Sequence, residues 1–566
     1  MNADRLLALY DRVAEAPDAI TSLRRFVLDL AVRGKLVEQD PADEPASELL
    51  KRIAAEKARL GVRYRVSPPN ADEVPFDLPE GWRWSRIGEL CSKTGSGSTP
   101  RGGKEVYKAS GVPFLRSQNV YDDSLRLDNV ARIALEVHAR MAGTKVLAAD
   151  LLLNITGGSI GRCCQVPSDF EEANVSQHVA IIRPALAELS CFLHKLILSP
   201  YFQAFVLNEQ TGAGRGGLPK NRMDRIVVAV PPLAEQRHIV AKAEELMALL
   251  DRLEAARTAR EASRDRLTAA SLARLTAPDT EGGIFPAHGR FALDALPALT
   301  TRPDQIKPLR QTILNLAVRG KVVEQDPNEV RENQSSLRPD SNAEAYDERD
   351  FKEQAAKFDL PGNWTIEPLC RVAERIVDCP HTTPKWTEHG VLCIKTNQVR
   401  AGILDFSTPT FVSEETYRIR IERLEPRKDD ILYIREGGVL GVGCRVPPDM
   451  RLCMGQRLML IRTNASVTPV FLELCLNSPW IADFAVEKTT GGAAPRVNMS
   501  VVRGYPIPLP PLAEQHRILA KVDALMALCN RLETALTTAD TARARLLDSL
   551  LHEALAPAAS ELKAAE

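Results

Sequence analysis

The sequence has no uninterrupted apolar run approaching the roughly 18 residues of a membrane-spanning helix, so we expect no membrane span. Its N-terminal stretch carries acidic residues inside the apolar run and lacks a cleavage-type end, which argues against a secretion signal and favours a cytoplasmic protein. Charge of one sign is also missing, because 73 Lys and Arg residues oppose 74 Asp and Glu residues. Without a basic field over the whole molecule, nucleic acid would have to bind at local basic surfaces.

Metal-ligand patterns are missing as well. The eleven cysteines form no C-x-x-C pair, and only Cys163 and Cys164 are adjacent, which argues against a structural zinc site or a disulfide framework. We interpret them as reduced thiols that are mostly small core residues. The nine histidines show no ligand spacing, so we expect no metal site. Hydrophobic residues make up 44% and charged residues 26% of the chain, as in ordinary globular proteins.

The strongest feature that is present is an internal repeat. Residues 17–41 and 303–327 are identical at 17 of 25 positions, and both contain AVRGK and VEQDP. Residues 231–256 and 510–535 both begin with PPLAEQ and are identical at 17 of 26 positions. The two offsets, 286 and 279, are close to half of the 566 residues. The sequence therefore predicts two duplicated halves rather than a solenoid of short repeats.

Between the near-identical blocks lie two stretches that resemble each other only in outline. DLLLNITGGSIGRCCQVP begins at Asp150, and DILYIREGGVLGVGCRVP begins at Asp430. Short apolar runs bounded by Gly, Pro, Asn and Asp favour strands, with amphipathic helices late in each stretch. The Gly-Gly turns in these segments are interpreted as tight turns that need a positive φ. One fold with two differently decorated surfaces is the simplest interpretation.

The predicted fold class is α+β, with two mixed α/β domains joined by long antiparallel, coiled-coil-like helices and a pseudo-twofold internal duplication. We divide the chain into five parts. Residues 1–60 are an N-terminal helical region, 61–230 a first variable domain, and 358–509 a second variable domain. Residues 231–357 are a central repeat region that contains a long helix, a linker and the second copy of the helical block, and residues 510–566 are a C-terminal repeat region with a long helix.

The PPLAEQ blocks open two long predicted helices, because Pro stops the preceding strand and suits the first helical turn. A helix over about 43 residues would be about 65 Å long. Apolar residues recur at alternating steps of four and three, which is typical of a heptad seam. The duplication favours pairing of the two helices with each other, with a variable domain at each end of the rod; core-facing helices of a bundle are the alternative. The seam residues are Ile239, Leu246, Leu250, Leu253, Ile518, Val522, Leu525 and Leu532.

These residues resemble the specificity subunits of bacterial type I restriction-modification systems. The resemblance covers nearly the whole chain, and its marks are the two AVRGK-x-VEQDP blocks, the two PPLAEQ blocks and the two domains with strand–Gly-Gly turns. It implies that residues 61–230 and 358–509 are target recognition domains, each reading one half of an asymmetric, interrupted site in double-stranded DNA. It also implies that the repeated helices set the spacing and dock modification subunits, two of them by our expectation, alongside restriction and translocase subunits.

Motifs for catalysis by this chain are absent. No [ND]-P-P-[YFW] segment is present to hold a target adenine, and no G-x-x-x-x-G-K-[ST] phosphate loop is present. GAGRGG at 212–217 fits a dinucleotide motif only formally, since Leu-Pro follows it instead of a helix, and we interpret it as a flexible loop near DNA. We therefore expect a non-catalytic chain without a cofactor of its own. S-adenosylmethionine, ATP and Mg would belong to the partner subunits, as the resemblance implies.

Polar, basic and Gly-rich loops of the two variable domains offer candidate DNA contacts, because Lys and Arg bind phosphates while Arg, Lys, Asn and Gln also match base edges. For each residue a solvated surface role is the alternative. The first domain offers Ser98, Thr99, Arg101, Lys104, Arg116, Gln118, Asn119, Arg162, His178, Arg215, Lys220, Asn221 and Arg222. The second domain offers His381, Thr382, Thr383, Lys385, Trp386, Lys395, Asn397, Gln398, Arg435, Arg445, Arg457, Arg496 and Asn498.

Some positions match between the halves. Gln177 and Gln456 are equivalent, and a shared residue serves the fold or a phosphate better than a base that differs between two half-sites. Trp82 and Trp364 also correspond, and both are predicted to be core residues. Trp386 has no matching tryptophan in the first domain and is placed near DNA.

Two other hypotheses stay open at this point. The chain could be a helical scaffold whose variable domains bind protein, in which case binding would not show the steep salt dependence of a DNA complex. It could also be an enzyme with an unrecognised site, in which case the purified chain alone would turn over a substrate.

Overall fold

The computed structural model describes residues 14–62, 67–208, 217–276, 299–329, 345–491 and 495–555, with four isolated positions between 289 and 295. The described residues form two compact units. Unit 1 contains those up to Ala259 and from Asp540 onward, and unit 2 contains Arg260–Ala539. Both boundaries fall inside long helices, so each long helix contributes its beginning to one unit and its end to the other. The predicted five-part division cuts the chain differently and stays a prediction.

Unit 1 is built from two short helices, a strand-rich domain and a long helix. Its helices in chain order are α1 Ala19–Val32, α2 Ala46–Arg59, α3 Ile87–Leu90, α4 Leu135–Arg140, α5 Ser190–Leu198, α6 Pro200–Asn208, α7 Lys220–Arg225 and α8 Leu233–Thr276, which continues into unit 2. Its strands are β1 Arg83–Arg86, β2 Cys91–Ser96, β3 Tyr107–Lys108, β4 Val112–Leu115, β5 Ala131–Ile133, β6 Lys145–Val146, β7 Leu151–Asn154, β8 Cys163–Gln165, β9 Ala173–Val175, β10 Val179–Pro184 and β11 Val227–Val230.

Unit 2 repeats this order. Its helices are α9 Ile306–Ala317, α10 Glu348–Ala355, α11 Leu369–Val372, α12 Glu414–Ile421, α13 Pro469–Leu476, α14 Pro479–Glu487, α15 Met499–Arg503 and α16 Leu512–Leu555, which continues into unit 1. Its strands are β12 Thr365–Pro368, β13 Ala373–Asp378, β14 Trp386–Thr387, β15 Val391–Ile394, β16 Val399–Arg400, β17 Ile403–Leu404, β18 Phe411–Val412, β19 Ile431–Ile434, β20 Val442–Arg445, β21 Leu452–Met454, β22 Leu458–Thr463 and β23 Pro506–Leu509.

The sheets of the two units have matching topology. An antiparallel inner sheet has the order β2-β10-β7-β8 in unit 1 and β13-β22-β19-β20 in unit 2. A second sheet has the order β3-β5-β4-β9-β6 in unit 1 and β14-β18-β15-β21 in unit 2. A two-stranded sheet joins β1 to β11 and β12 to β23, closing each domain next to its long helix.

The inner sheet is covered on both faces, which explains why its strands are continuously apolar. Along β7, Leu151 and Leu153 pack into the core that contains α5 and α6, while Leu152 faces the core shared with the second sheet. Along β19, Ile431 and Tyr433 follow the same alternation with Leu432 and Ile434 on the opposite face. Because successive strand residues point to opposite faces, both sets must be apolar.

The near-identical blocks meet at one junction in each unit. In unit 1 the buried Glu235 of the PPLAEQ block accepts hydrogen bonds from Trp82 Nε1 at 2.8 Å and from Gln39 Nε2 at 3.0 Å. In unit 2 Glu514 accepts one from Gln325 Nε2 at 2.9 Å. Trp82 and Trp364 are both buried, which confirms their prediction as core residues. A buried carboxylate needs such donors, so these blocks are repeated because they build the same structural joint.

Glycine is required at this junction. Gly34 has a φ of +67°, and a Cβ there would lie 2.4 Å from Pro79 Cγ. Gly320 has a φ of +68°, and a Cβ there would lie 2.6 Å from Pro361 Cγ. Both the left-handed backbone and the close approach exclude a larger residue. The predicted Gly-Gly turns also have positive φ at their first glycine, +79° at Gly157 and +110° at Gly437.

The seam of each long helix packs on the short helix of its own repeat. Ile239 joins the core around Trp82, while Leu246, Leu250 and Leu253 pack against Ile20 and Val27 of α1. The preferred interpretation, pairing of the two seams with each other, is therefore wrong for these residues, and the bundle alternative describes their contacts. The physical reason is that α1 already presents an apolar face to α8, so the seam is covered within its own unit.

Unit 2 shows the equivalent packing. Ile518 and Val522 lie in the domain core, and Cys529 and Leu532 pack with Ile306 and Leu309 of α9. Leu525 is half-buried.

The end of the other long helix completes each bundle. Leu547 and Leu550 of α16 pack against Ala19 of α1 in unit 1, and Leu272 of α8 packs against Leu309 of α9 in unit 2. The predicted fold class, two mixed domains with long helices and an internal duplication, is confirmed.

The sequence predicted no membrane-spanning helix and reduced, mostly buried cysteines. None of the helices in the described parts of the chain has an apolar stretch long enough to cross a lipid bilayer. All eleven cysteines are free thiols, and ten of them are buried, with Cys191 exposed. Burial raises the pKa of Cys164 to about 12, so this thiol stays protonated at neutral pH.

Candidate nucleic-acid interface

Three loops meet at one edge of each inner sheet. In unit 1, Ser96 ends β2 opposite Ala180, and Asn154 ends β7 opposite Val179, so both strands finish where β10 begins. The segments 97–101, 155–162 and 176–178 therefore lie side by side, and we call them loop edge 1. In unit 2, Asp378 pairs with Met459 and Ile434 with Leu458, which places 379–383, 435–441 and 455–457 together as loop edge 2.

Loop edge 1 is held by hydrogen bonds of hydroxyl, imidazole, amide and backbone groups. The side chain of Thr156 lies 2.6 Å from His178 Nδ1, and Gln177 Nε2 lies 3.4 Å from His178 Nε2. Ser98 N–H donates to the carbonyl oxygen of Val175 at 3.2 Å. His178, Gln177 and Ser98 are exposed, so this edge presents an imidazole, an amide and a hydroxyl to solvent.

Loop edge 2 has an ion-pair network in the same place. Arg435 Nη2 lies 2.5 Å from Asp378 Oδ2 and 3.1 Å from a carboxylate oxygen of Glu436. His381 Nε2 lies 3.1 Å from Asp378 Oδ2. Burial opposes the charge of Arg435, but the Asp378 carboxylate outweighs it and raises the pKa of that guanidinium. Arg457, in a left-handed conformation with φ +68°, is exposed beside this network.

Neighbouring side chains extend both edges. In unit 1, Lys220 donates to Thr94 Oγ1 at 2.9 Å and pairs with Asp224, which fixes its ammonium near the end of β2. In unit 2, Gln456 Nε2 donates to the carbonyl oxygen of His381 and to Thr383 Oγ1, each at 3.1 Å. The shared glutamine thus orders the loop in unit 2, which agrees with its interpretation as a residue of the fold.

Four predicted DNA contacts have structural roles instead. Asn119 is buried, and its side chain accepts the backbone N–H of Arg116 at 2.9 Å; Gln398 is its equivalent and accepts that of Lys395 at 2.9 Å. Both side chains cap a short turn and cannot also meet a base edge. The prediction that they contact DNA is therefore wrong, because the sequence did not reveal that a polar residue here closes a turn.

Arg435 and Arg445 are the other two predicted DNA contacts that have structural roles. Arg435 is 6% exposed and also donates to the carbonyl oxygen of Val497 at 3.2 Å. Arg445 pairs with Glu473 at 2.9 Å and Asp429 at 3.2 Å, and Glu473 is itself buried. Arg435 is thus engaged in holding loop edge 2. Arg445 joins the end of β20 to α13 at the opposite end of the inner sheet.

Most of the remaining candidates are exposed and stay predictions. Arg215 and nearly all of the GAGRGG segment lie outside the described residues. Arg222 lines a cavity with Asn70 and Arg225 rather than loop edge 1. Arg116 and Lys395 are half-buried. The exposed candidates of unit 1 are Ser98, Thr99, Arg101, Lys104, Gln118, Arg162, His178, Lys220, Asn221 and Arg222. Those of unit 2 are His381, Thr382, Thr383, Lys385, Trp386, Asn397, Arg457, Arg496 and Asn498.

Aromatic side chains lie near these loops in both units, and they include a pair that the sequence comparison missed. Arg162 lies over the ring of Tyr121, with its guanidinium carbon 4.8 Å from the ring centroid. Trp386 has an equivalent in the first domain after all, because Tyr107 occupies the same position, at the same offset of 279 as the two glutamines. Both residues begin the outermost strand of the second sheet. The strand register was the signal that could have revealed this pair, since the two residue types differ.

The chain is similar in sequence to known DNA specificity subunits. The model of the type I restriction modification DNA specificity domain matches residues 79–260 and 408–539. The chain is similar to the type I restriction enzyme EcoEI specificity subunit of Escherichia coli, with 28% identity over 95% of this chain and 94% of that protein. It is also 26% identical to the EcoAI specificity subunit of Escherichia coli over 95% and 94% of the two chains.

Among solved structures, the chain also matches the HsdS subunit from Thermoanaerobacter tengcongensis, with 20% identity, a TM-score of 0.41, and coverage of 85% of this chain and 98% of that chain. The family model covers more than half of the chain, in two segments that each take in the greater part of an inner sheet. The chain therefore belongs to the type I restriction-modification DNA specificity family.

Proposed function

We propose that the chain is the specificity subunit of a type I restriction-modification complex in which each domain reads one half of an asymmetric, interrupted DNA site. One observation supports this most directly: the two inner sheets have the same strand order, but their loop edges carry different side chains. A shared frame gives both domains the same way of approaching a duplex. Different edges give them different partners among the bases.

The chemistry of the edges suits base recognition. Amide and guanidinium groups form paired hydrogen bonds with adenine and guanine, respectively, in the major groove. At the position after the shared glutamine, loop edge 1 offers the imidazole of His178 for a hydrogen bond to a base edge, and loop edge 2 offers the guanidinium of Arg457. Exposed lysines and arginines around the edges would supply contacts to phosphates. Unlike edges predict unlike half-sites.

Catalysis belongs to partner subunits in this proposal. Modification subunits would bind S-adenosylmethionine and the target base, and restriction subunits would use ATP and Mg²⁺. The repeated helices would dock the modification subunits. Leu249 of α8 and Leu528 of α16 support this, because they occupy equivalent repeat positions and each is 52% exposed. Two matching apolar positions fit two copies of one partner.

Exchange of a domain tests the proposal. Replacement of residues 78–230 by the same segment of another member of the family should change one half of the methylated site and leave the other half intact. Replacement of residues 358–509 should change the other half. The proposal fails if either exchange alters both halves or neither. The scaffold alternative fails if DNA affinity of the complex falls steeply with rising salt.

Docking of the partner has its own test. Leu249→Glu and Leu528→Glu should each remove one modification subunit, because a buried carboxylate would be unfavourable at an apolar contact. The mass of the assembled complex, measured by native mass spectrometry, gives the copy number. Leu267→Glu is the matched control, because Leu267 is 51% exposed on α8 but its repeat equivalent, Leu546, is partly buried. Retention of both subunits in the double variant would contradict docking at these helices.

The spacing role is tested by helix length. An insertion of four residues, about one turn, near Ala259 of α8 and near Ala539 of α16 lengthens each helix by about 6 Å. That is close to two base pairs of duplex, at about 3.4 Å each. The tolerated gap between half-sites should shift accordingly. Undiminished methylation at the original gap would refute the spacing role.

A further inference from the structure

Each unit places a cation over an aromatic ring at the same position of its second sheet. In unit 1 the guanidinium carbon of Arg116, just after β4, lies 5.9 Å from the ring centroid of Tyr107 in β3. In unit 2 Lys395 Nζ, just after β15, lies 4.0 Å from the ring centroid of Trp386 in β14. The register is the same in both, because β3 and β4 each pair with β5, and β14 and β15 each pair with β18.

The two pairs are alike in chemistry although neither residue type is the same. Arg116 corresponds to Lys395, and Tyr107 corresponds to Trp386, each at an offset of 279. By contrast, most side chains of the loop edges differ in charge or in hydrogen-bonding groups. A property kept where residue identity is lost indicates a common task. Packing alone does not explain it, because Trp386 is 40% exposed.

The cations are available for a ligand. Within the described residues, the ammonium of Lys395 and the guanidinium of Arg116 contact their aromatic rings, and neither has a carboxylate partner. Elsewhere in the same domains, Arg183 and Arg462 are neutralised by the buried Asp150 and Asp430. An aromatic ring orients a cation without neutralising it, so its N–H donors keep a full positive charge toward solvent.

We propose that Arg116 with Tyr107, and Lys395 with Trp386, each bind a phosphate of the DNA backbone beside the half-site of their own domain. This rests on the proposed function of the domains. The phosphate is the ligand because two domains that read different base sequences share this group, and the backbone is what two different half-sites have in common. The ring restricts the rotamers of the long side chain, so less conformational entropy is lost on binding.

Salt titration of DNA binding by the assembled complex tests this. The probes are a duplex with the full site and two duplexes in which one or the other half-site is scrambled. Lys395→Ala and Arg116→Ala should each lower affinity for all three duplexes by the same factor, roughly tenfold, which is typical of a lost charge-assisted hydrogen bond. The slope of log affinity against log salt should become less steep by about one.

Matched variants separate the effect of the positive charge from the effect of the aromatic ring. Lys395→Arg keeps the charge and should restore both affinity and slope. Lys352→Ala removes an exposed lysine on α10 that is paired with Glu348, and it should change neither. Trp386→Ala leaves the charge but not the platform, so the slope should be kept while affinity falls about threefold or more, as for loss of a cation–π contact.

Two results would overturn the inference. A changed ratio between the full and scrambled duplexes would make Lys395 or Arg116 a base reader, and an unchanged slope with unchanged affinity would remove it from the interface. Failure of the proposed function looks different. In that case the wild-type complex would itself bind the full and scrambled duplexes equally.

Discussion

The two recognition domains differ least in their framework and most at their loop edges. Both inner sheets follow the same strand order, and both bury an aspartate that pairs with an arginine of the neighbouring strand: Asp150 with Arg183, and Asp430 with Arg462. Each aspartate also accepts a backbone N–H from the turn before its strand, at 2.7 and 2.8 Å. Frame positions therefore keep their chemistry because burial leaves no alternative partner.

At the loop edges, by contrast, equivalent positions of the two units differ in chemistry. Thr156 in unit 1 corresponds to Glu436 in unit 2, and the adjoining Ile155 corresponds to Arg435. In unit 1 a hydrogen bond between Thr156 and His178 holds this turn, and in unit 2 an ion-pair network holds it. The difference teaches that the loop edge can be rebuilt without disturbing the sheet beneath it. Such independence is what a domain needs in order to change its DNA target.

Removal of the buried aspartate should have the largest effect on this frame. Asp150→Ala and Asp430→Ala should each destabilise their own unit by about 3 kcal/mol, because an arginine and a backbone N–H are left without a carboxylate. Hydrogen exchange followed by mass spectrometry would report each unit separately. Equal losses of stability in the two units would show that the buried aspartate has the same role in both frames. A loss in one unit only would show that the frames are not equivalent.

The glycine junction should come next. Gly34→Ala and Gly320→Ala should each cost about 2 kcal/mol in the free energy of unfolding, from the left-handed backbone and the contact with proline. Gly362→Ala is the control, because Gly362 follows Pro361 in the chain but its Cβ would meet nothing within 4 Å, so it should change stability by less than about 0.5 kcal/mol. Urea unfolding gives these values. A similar loss of stability in Gly362→Ala and Gly320→Ala would contradict the requirement for glycine at the junction.

Arg435→Ile copies the residue of unit 1 into unit 2. It leaves Asp378 and Glu436 without their arginine, so we expect a loss of about 1–2 kcal/mol confined to unit 2. The test is whether DNA discrimination by the second half-site weakens while the first is unchanged. Unchanged stability would mean that the network at loop edge 2 does not hold that edge.

Exchange of the aromatic residues should have the smallest effect. Tyr107→Trp and Trp386→Tyr should change DNA affinity of the complex by less than about 0.5 kcal/mol, because both rings attract a cation through their faces. Competition binding at fixed salt would measure this. A tenfold loss for either exchange would mean that ring identity, not the cation platform, matters there.

The sequence predicted the parts that depend on repetition and periodicity. The duplicated blocks revealed the two halves and both 44-residue helices, α8 and α16. It could not show which partner covers an apolar seam, because a heptad pattern is the same whether Leu250 meets another long helix or α1. It also could not separate a turn-capping amide from a base reader. Asn119 and Asn397 have the same chemistry, and only their burial distinguishes them.

The methylation map of DNA modified by the assembled complex tests the central claim most directly. Our account predicts that methylated adenines mark one interrupted motif whose two halves are unlike, because loop edges 1 and 2 are unlike. A motif whose halves are inverted copies of each other, or a motif with only one specified half, would contradict it.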